Sequence, residues 1–296
     1  MKTQEMIPSS LQKLYPFEGN FRLANGGKQH YLDINSKADE CIVAVHGNPT
    51  WSFYWRALTC FSDNYRIVVP DHIGCGLSDK PQDWTYQLAD HVQNLCDLLL
   101  SLDLTKIHLV VHDWGGAIGM GFATRYPEKI ASLTITNTAA FRSQEIPLSI
   151  ASCRIPIFGS LVVRGGNAFA GVATWRATAK GLSKEVKDGL IFPYDNWKNR
   201  IATLRFVEDI PLKESHPSYQ TLLQIEENLH KLRQHPMQIL WGEQDFCFTP
   251  NFRRQWQDFF PEAEVQAWDD VGHYVMEDAP ERVIEQMQKF LQDRRQ

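Results

Sequence analysis

The chain has 296 residues, a net charge of −5, 43% hydrophobic and 22% charged residues, proportions ordinary for a globular protein of one or two domains. The mild acidity and the lack of a basic stripe exclude a nucleic-acid surface, which needs Lys and Arg to neutralise phosphates. No run reaches the roughly 20 apolar residues that span a bilayer, and the opening MKTQEMIPSSLQKLYPF holds no signal-peptide stretch.

Six cysteines, at 41, 60, 75, 96, 153 and 247, form neither C-x-x-C nor a zinc spacing. Cys41, Cys96 and Cys153 sit among apolar residues and read as buried free thiols. The expectation is a soluble, cytoplasmic protein in a reducing compartment.

In chain order, FRLANGGKQHYLDI predicts two strands about a hairpin turn at Asn25-Gly26-Gly27. CIVAVH (41–46) and YRIVVPD (65–71) are continuous apolar runs of the kind buried on both faces of a parallel sheet. Leu88, Val92, Leu95, Leu99 and Leu102 recur at three and four, which predicts a helix over 87–102. IHLVVHD (107–113) and SLTITNT (132–138) predict further strands. Such alternation implies a parallel sheet wrapped on both sides. From 140 to 232 the alternation stops; helical stretches and loops follow, among them 218–232 with Leu222, Ile225 and Leu229 on one face. It resumes with MQILWG (237–242), a helix near 251–260, AEVQAW (263–268) and a final helix from Pro280 to about Leu291, with Pro in its first turn. The expected division is a core of 1–139 and 233–296 with a helical cap at 140–232; an insertion of that length is usually functional.

Ligands of such sheets bind at the carboxyl ends of the strands. The third strand ends in VHGNPTW, with Asn48, and the fourth in PDHIGCGLSDKP. The fifth ends in Asp113-Trp114-Gly115-Gly116, the sixth at Asn137, the seventh at Asp245 and the eighth before His273. Asp113, Asp245 and His273 follow the order nucleophile, acid, histidine found in hydrolases built on this sheet. Each residue also has a plain structural reading. Asp113 fits a helix N-cap, His273 a core histidine, Trp114 packing and Asn48 a loop brace, while Glu243 is an alternative acid. His46, His112, Asp71 and the glycines Gly47, Gly74, Gly76, Gly115 and Gly116 read as residues that shape the turns.

Over nearly its full length the chain resembles the haloalkane dehalogenase family of the α/β-hydrolase superfamily, through HGNPTWSFYWR, DHIGCGLSDKP, HDWGGAIG and VGHYVMED. The resemblance implies an α/β-hydrolase fold: an eight-stranded, mostly parallel sheet flanked by helices, with a helical cap after strand six. It is to the third dehalogenase subfamily, since Asn137 stands where another subfamily has a glutamate acid, leaving that role to Asp245. A carboxylate, unlike a serine, needs no proton removed to displace a leaving group from saturated carbon. The implied reaction is attack by Asp113 on a haloalkane to give an alkyl ester, then hydrolysis by water deprotonated at His273, which Asp245 orients. The side chains of Trp114 and Asn48 would hold the halide, and their backbone N–H groups the oxyanion. No cofactor and no metal is implied; the partners are a small apolar substrate, halide and water, with oligomerisation open.

The resemblance extends to the β-lactone decarboxylases of bacterial olefin synthesis, which turn a cis-β-lactone with two alkyl chains into an alkene and carbon dioxide; FPYDNWKNRIATLRFVEDIPL (192–212) is similar to segments of both groups. Epoxide hydrolysis is a lesser alternative; it needs two cap tyrosines, for which Tyr194 and Tyr219 are candidates. A scaffold that only binds a ligand usually lacks part of this constellation, and all five positions are present. Dehalogenation is the leading expectation. Trp175, Phe192, Trp197 and Phe206 would either line the pocket or pack the cap.

Overall fold

The computed structural model describes residues 3–294. Its centre is one eight-stranded sheet in the order β1-β2-β4-β3-β5-β6-β7-β8. The strands are β1 (Gly19–Ala24), β2 (Gly27–Ile34), β3 (Glu40–Val45), β4 (Arg66–Pro70), β5 (Lys106–Asp113), β6 (Ile130–Thr138), β7 (Met237–Gly242) and β8 (Glu264–Trp268). The hairpin β1–β2 is antiparallel and β2 also meets β4 antiparallel; all later pairings are parallel. This is the mostly parallel eight-stranded sheet that the resemblance implies, and its parallel part is the one the alternating pattern predicts.

The apolar runs are continuous because both faces of the sheet are covered. On β3, Val43 and Val45 face one core with Leu109 and Val111 of β5, while Ile42 and Ala44 face the other with Val110. Helices α1 (Leu88–Ser101) and α2 (Trp114–Ala123) fill the first layer through residues such as Leu95, Leu99 and Ile118. The second layer is built from Trp51, Trp55 and Leu58, around a 3-10 helix at Ser52–Phe61, and from Val283, Met287 and Phe290 of the last helix, Pro280–Gln292. Each such side chain withdrawn from water contributes about 1.5–3 kcal/mol.

Between β6 and β7 run the helices α3 (Leu148–Ser152), α4 (Ala168–Arg176), α5 (Lys184–Ile191), α6 (Ile201–Glu208) and α7 (Tyr219–Asn228). α7 stops four residues before the end of the expected 218–232 helix, and Leu229–Leu232 tighten into a 3-10 turn. Three polar ties seat this segment on the sheet. Trp51 Nε1–H donates to Gly189 O at 2.9 Å, and Tyr194 O–H donates to Thr50 O at 3.3 Å. Asp209, just past α6, accepts from Leu88 N–H at 2.8 Å, so it caps α1 from outside. Burial pushes the Asp209 carboxyl up to about 7, against the hydrogen bonds from Ser218 and Leu88 that favour its charge.

Cys41, Cys75, Cys96 and Cys153 are buried free thiols; Cys60 is exposed and Cys247 half-buried. Among the described residues no helix is long and apolar enough to cross a membrane.

Candidate active site

The turn from β5 into α2 puts Asp113 at φ 52°, ψ −128°, a region that costs a non-glycine residue about 1–3 kcal/mol and persists only where its surroundings enforce it. Close packing enforces it here. A Cβ on Gly115 would lie 2.1 Å from Val45 O, so only glycine lets α2 start this tightly against β3. The Thr138 hydroxyl on β6 holds the Asp113 carbonyl from the other side.

Held there, Asp113 has two unlike oxygens. Oδ1 accepts the Asn48 backbone N–H at 2.7 Å, and the Trp114 backbone N–H also bonds the carboxylate. Oδ2 faces His273 Nε2 at 3.6 Å. Burial pushes the Asp113 carboxyl above its usual value, and His273 and the two N–H groups pull it back only partway. One oxygen is thus tethered, and the other is available at a buried site.

His273 follows β8. Its Nδ1 meets Asp245 Oδ2 at 2.7 Å, and the Phe248 ring stacks on the imidazole at 5.7 Å. His112 Nε2–H donates to the His273 carbonyl at 2.9 Å, fixing the backbone as well. Burial presses the His273 pKa down, but the Asp245 carboxylate, its hydrogen bond and Asp113 outweigh that, so it stands above the ordinary value. Asp245 is itself fully engaged: Oδ1 accepts Cys247 N–H at 2.6 Å and Oδ2 accepts Asn137 Nδ2–H at 2.9 Å.

Asn137 thereby has a part that sequence reasoning did not give it. Its amide also bonds both backbone groups of Gly242, donating to O at 3.0 Å and accepting from N at 2.8 Å, so it staples the ends of β6 and β7 beside Asp245. The signal was an amide ending an otherwise apolar buried strand. Glu243, the alternative acid, is paired with Arg253 at 2.6 Å.

The structure brings Asp113, Asp245, His273, Asn48 and Trp114 together, with one difference from expectation. The Asn48 amide does not simply face a leaving group: its Nδ2–H donates to Thr203 O on α6 at 3.2 Å, tying the loop to the cap. One amide hydrogen remains. Trp114 lines the cavity above Asp113, its ring 5.3 Å from Phe206, and no described residue accepts its indole N–H.

That cavity holds about 130 Å³. Its walls are mostly apolar, with Phe141, Ile150, Phe169, Val207 and Ile210 from the segment between β6 and β7 and Phe248 from the core, and Ser143 and Glu145 are polar exceptions. None of Trp175, Phe192, Trp197 and Phe206 lines it. Trp175 and Trp197 are exposed, Phe206 is buried behind Trp114 and stacks on His91 at 4.5 Å, and Phe192 packs against the second core. Tyr194 and Tyr219 do not line it either; the first is tied to Thr50 and the Tyr219 hydroxyl accepts from Arg142 at 3.2 Å. The pair of tyrosine acids that epoxide opening requires is therefore missing from the cavity. Among the described residues no group of three His, Cys, Asp or Glu is arranged to hold a metal ion. The arrangement can deliver one carboxylate oxygen to an apolar substrate and offer N–H groups to a departing anion.

Residues 40–280 match the family model described as the alpha/beta hydrolase fold. Among known proteins, the cis-3-alkyl-4-alkyloxetan-2-one decarboxylase of Shewanella oneidensis is 45% identical over 289 residues, covering 95% of this chain and 90% of its own. The protein of the same name from Xanthomonas campestris is 40% identical, over 88% of this chain and 91% of its own. Haloalkane dehalogenase 2 of Mycobacterium tuberculosis is 26% identical, over 92% and 94%. Among solved structures, a haloalkane dehalogenase from Bradyrhizobium elkani superposes with a TM-score of 0.85 at 23% identity, over 94% of this chain and 98% of that one; at that identity the likeness speaks for the fold.

Proposed function

The chain belongs to the alpha/beta hydrolase fold family, and we propose that within it the protein is a cis-3-alkyl-4-alkyloxetan-2-one decarboxylase with Asp113 as nucleophile. The observation that carries this reading is the 45% identity, over nearly the whole chain, to a relative of that name, against 26% to a dehalogenase. The order of the two readings drawn from sequence is therefore reversed: decarboxylation leads and dehalogenation is second.

Asp113 Oδ2 attacks the ring carbon that bears the ring oxygen, from the face opposite that oxygen. The carbon–oxygen bond breaks and its electrons pass to the ring's carboxyl group, leaving an Asp113 ester with a free carboxylate on the neighbouring carbon. That carboxylate departs as carbon dioxide; the electrons of its carbon–carbon bond form the alkene, and the ester bond returns its pair to Asp113. No water is consumed and no proton is transferred. Inversion followed by anti departure gives a cis-alkene from a cis-lactone.

Each neighbouring group has a part in this cycle. The backbone N–H of Asn48 holds Oδ1 and so aims Oδ2, and the Trp114 N–H also bonds the carboxylate. The indole N–H of Trp114 and the remaining Asn48 amide hydrogen receive the carboxylate released in the first step; a preformed donor of this kind is worth about 3–4 kcal/mol. His273, oriented by Asp245, holds Nε2 at 3.6 Å from Oδ2, where its protonated form would stabilise the carboxylate that re-forms as the ester departs. The apolar walls suit a step in which a localised carboxylate charge disperses.

The second reading is favoured by the His273 geometry. With Nε2 at 3.6 Å from Oδ2, His273 is placed to deprotonate water for attack on an alkyl ester. The deciding experiment offers the purified protein a cis-3,4-dialkyl-β-lactone, with 1,2-dibromoethane and 1,3-diiodopropane in parallel. Alkene and carbon dioxide in equal amounts, with halide release near the blank, is the expected result. Fast halide release without alkene would overturn the proposal.

A further inference from the structure

One stretch of the chain differs in character from the rest. Residues 146–184 contain Arg154, Arg164, Arg176, Lys180 and Lys184 and no aspartate or glutamate, in a chain whose net charge is −5. The same stretch carries most of the exposed large apolar side chains. Leu148 is 87% exposed, Ile157 78% and Trp175 74%, and Ile155, Phe158 and Leu161 are also exposed. Elsewhere among the described residues such exposure is confined to Trp197, beside this stretch under Arg164, and to four scattered positions on the core. Single exposed apolar residues are normal, whereas a cluster marks a contact surface.

Part of this cluster is joined in space. The turn Phe158–Ser160 runs into a π-helical turn at Leu161–Gly165, and α4 packs against that turn. Lys180 and Lys184 are paired with Asp270 and Asp188. Arg154, Arg164 and Arg176 have no carboxylate partner among the described residues. Arg154 donates to Ile210 O at 2.6 Å, Arg164 donates to Gln82 Oε1 at 2.7 Å, and Arg176 lies over the Phe246 ring at 4.8 Å. The inner side of the same stretch supplies Ile150 and Phe169 to the cavity above Asp113. One thin wall thus has an apolar cavity on one side and an apolar, arginine-bearing surface on the other.

Exposed apolar side chains mixed with arginines that no carboxylate pairs match the chemistry of an anionic lipid interface, where the apolar groups enter the headgroup–acyl boundary and the arginines meet phosphates. We propose that segment 146–184 docks the protein peripherally on an anionic bilayer, so that the cavity exchanges apolar molecules with lipid through this wall. The contact is interfacial, since no helix of the described residues can cross a membrane. It does not depend on which substrate reacts.

The test is co-sedimentation of the full chain with vesicles of phosphatidylcholine alone and of about three parts phosphatidylcholine to one part phosphatidylglycerol. Wild type is expected to pellet with the anionic vesicles, less with the neutral ones, and less as salt is raised. The combined variant Leu148→Ser, Ile157→Ser, Trp175→Ser should lose at least about tenfold in partition while keeping its Tm. Arg164→Gln with Arg176→Gln should lose the preference for anionic vesicles. Wild type remaining in the supernatant with both vesicles, or a triple variant that pellets like wild type, would overturn the proposal. A dimer in sedimentation velocity that the triple variant abolishes, without vesicle binding, would overturn it too, and would assign the patch to a second copy of the chain.

Discussion

Gly47→Ala puts the smallest possible perturbation against the Asp113 carboxylate. A Cβ at this position would lie 2.1 Å from Asp113 Oδ1, 2.3 Å from its Cβ and 2.6 Å from its Cγ. Ordinary van der Waals contact begins at 3.4 Å, so the two must separate by about an ångström or more. Asp113 cannot swing away freely, because its backbone is locked between Gly115 and Thr138. The end of β3 must yield instead, carrying the Asn48 N–H away from the 2.7 Å bond it makes to Oδ1. Loss of one donor to a developing oxyanion costs about 2.7–4 kcal/mol, or roughly 10²–10³ in kcat. Overpacking should cost about 1–3 kcal/mol of stability. The assay is kcat on the β-lactone, with a thermal melt to show that the variant is folded. A folded Gly47→Ala protein with kcat within threefold of wild type would refute the account of how Asp113 is held.

Three further outcomes are expected. In His273→Phe, alkene should still form slowly and no Asp113 adduct should build up, because fragmentation needs no water; an adduct of lactone mass in the intact-protein spectrum would show that His273 is required for ester breakdown. The acid limb of kcat/KM should follow Asp113, whose pKa burial has raised, so activity falls as pH drops through it; His273 pulls that pKa down, and its removal should move the limb to higher pH. Asp209, pushed to about 7 from an ordinary 3.8, is protonated more tightly in the folded state, so it stabilises most below pH 4 and that stability is lost as pH rises to 7. At about 1.4 kcal/mol per pH unit this is on the order of 4 kcal/mol; urea unfolding should show a smaller loss between pH 5 and pH 8 in Asp209→Asn than in wild type, and an equal loss would contradict the assignment.

What could be read in the sequence was what depends on local pattern. CIVAVH and IHLVVHD have no polar face, which only a strand covered on both sides allows, and β3 and β5 are such strands. Asp113, Asp245 and His273 could be picked out because the first closes a strand and the other two lie in the loops that follow strands, and strand ends of a parallel sheet converge on one rim. What escaped depends on how the cap seats. The Thr203 carbonyl that takes an Asn48 hydrogen, and the Asp209 carboxylate that caps α1, are partners 155 and 121 residues away in the chain. Phe192 and Phe206 pack, as one of the two readings had it, whereas Trp175 and Trp197 fit neither, for a related reason. Size and apolarity favour burial, but Trp175 on α4 and Trp197 in the turn before Lys198–Arg200 are exposed, while the cavity is lined by the less conspicuous Ile150, Val207 and Ile210.

The most direct measurement is alkene formation from a cis-3,4-dialkyl-β-lactone by wild type and by Asp113→Asn, with matched thermal melts. The account predicts steady alkene release from wild type and a loss of about four orders of magnitude or more in the variant, since an amide cannot form the ester on which both steps depend. Alkene release by a folded Asp113→Asn protein within tenfold of wild type would contradict it.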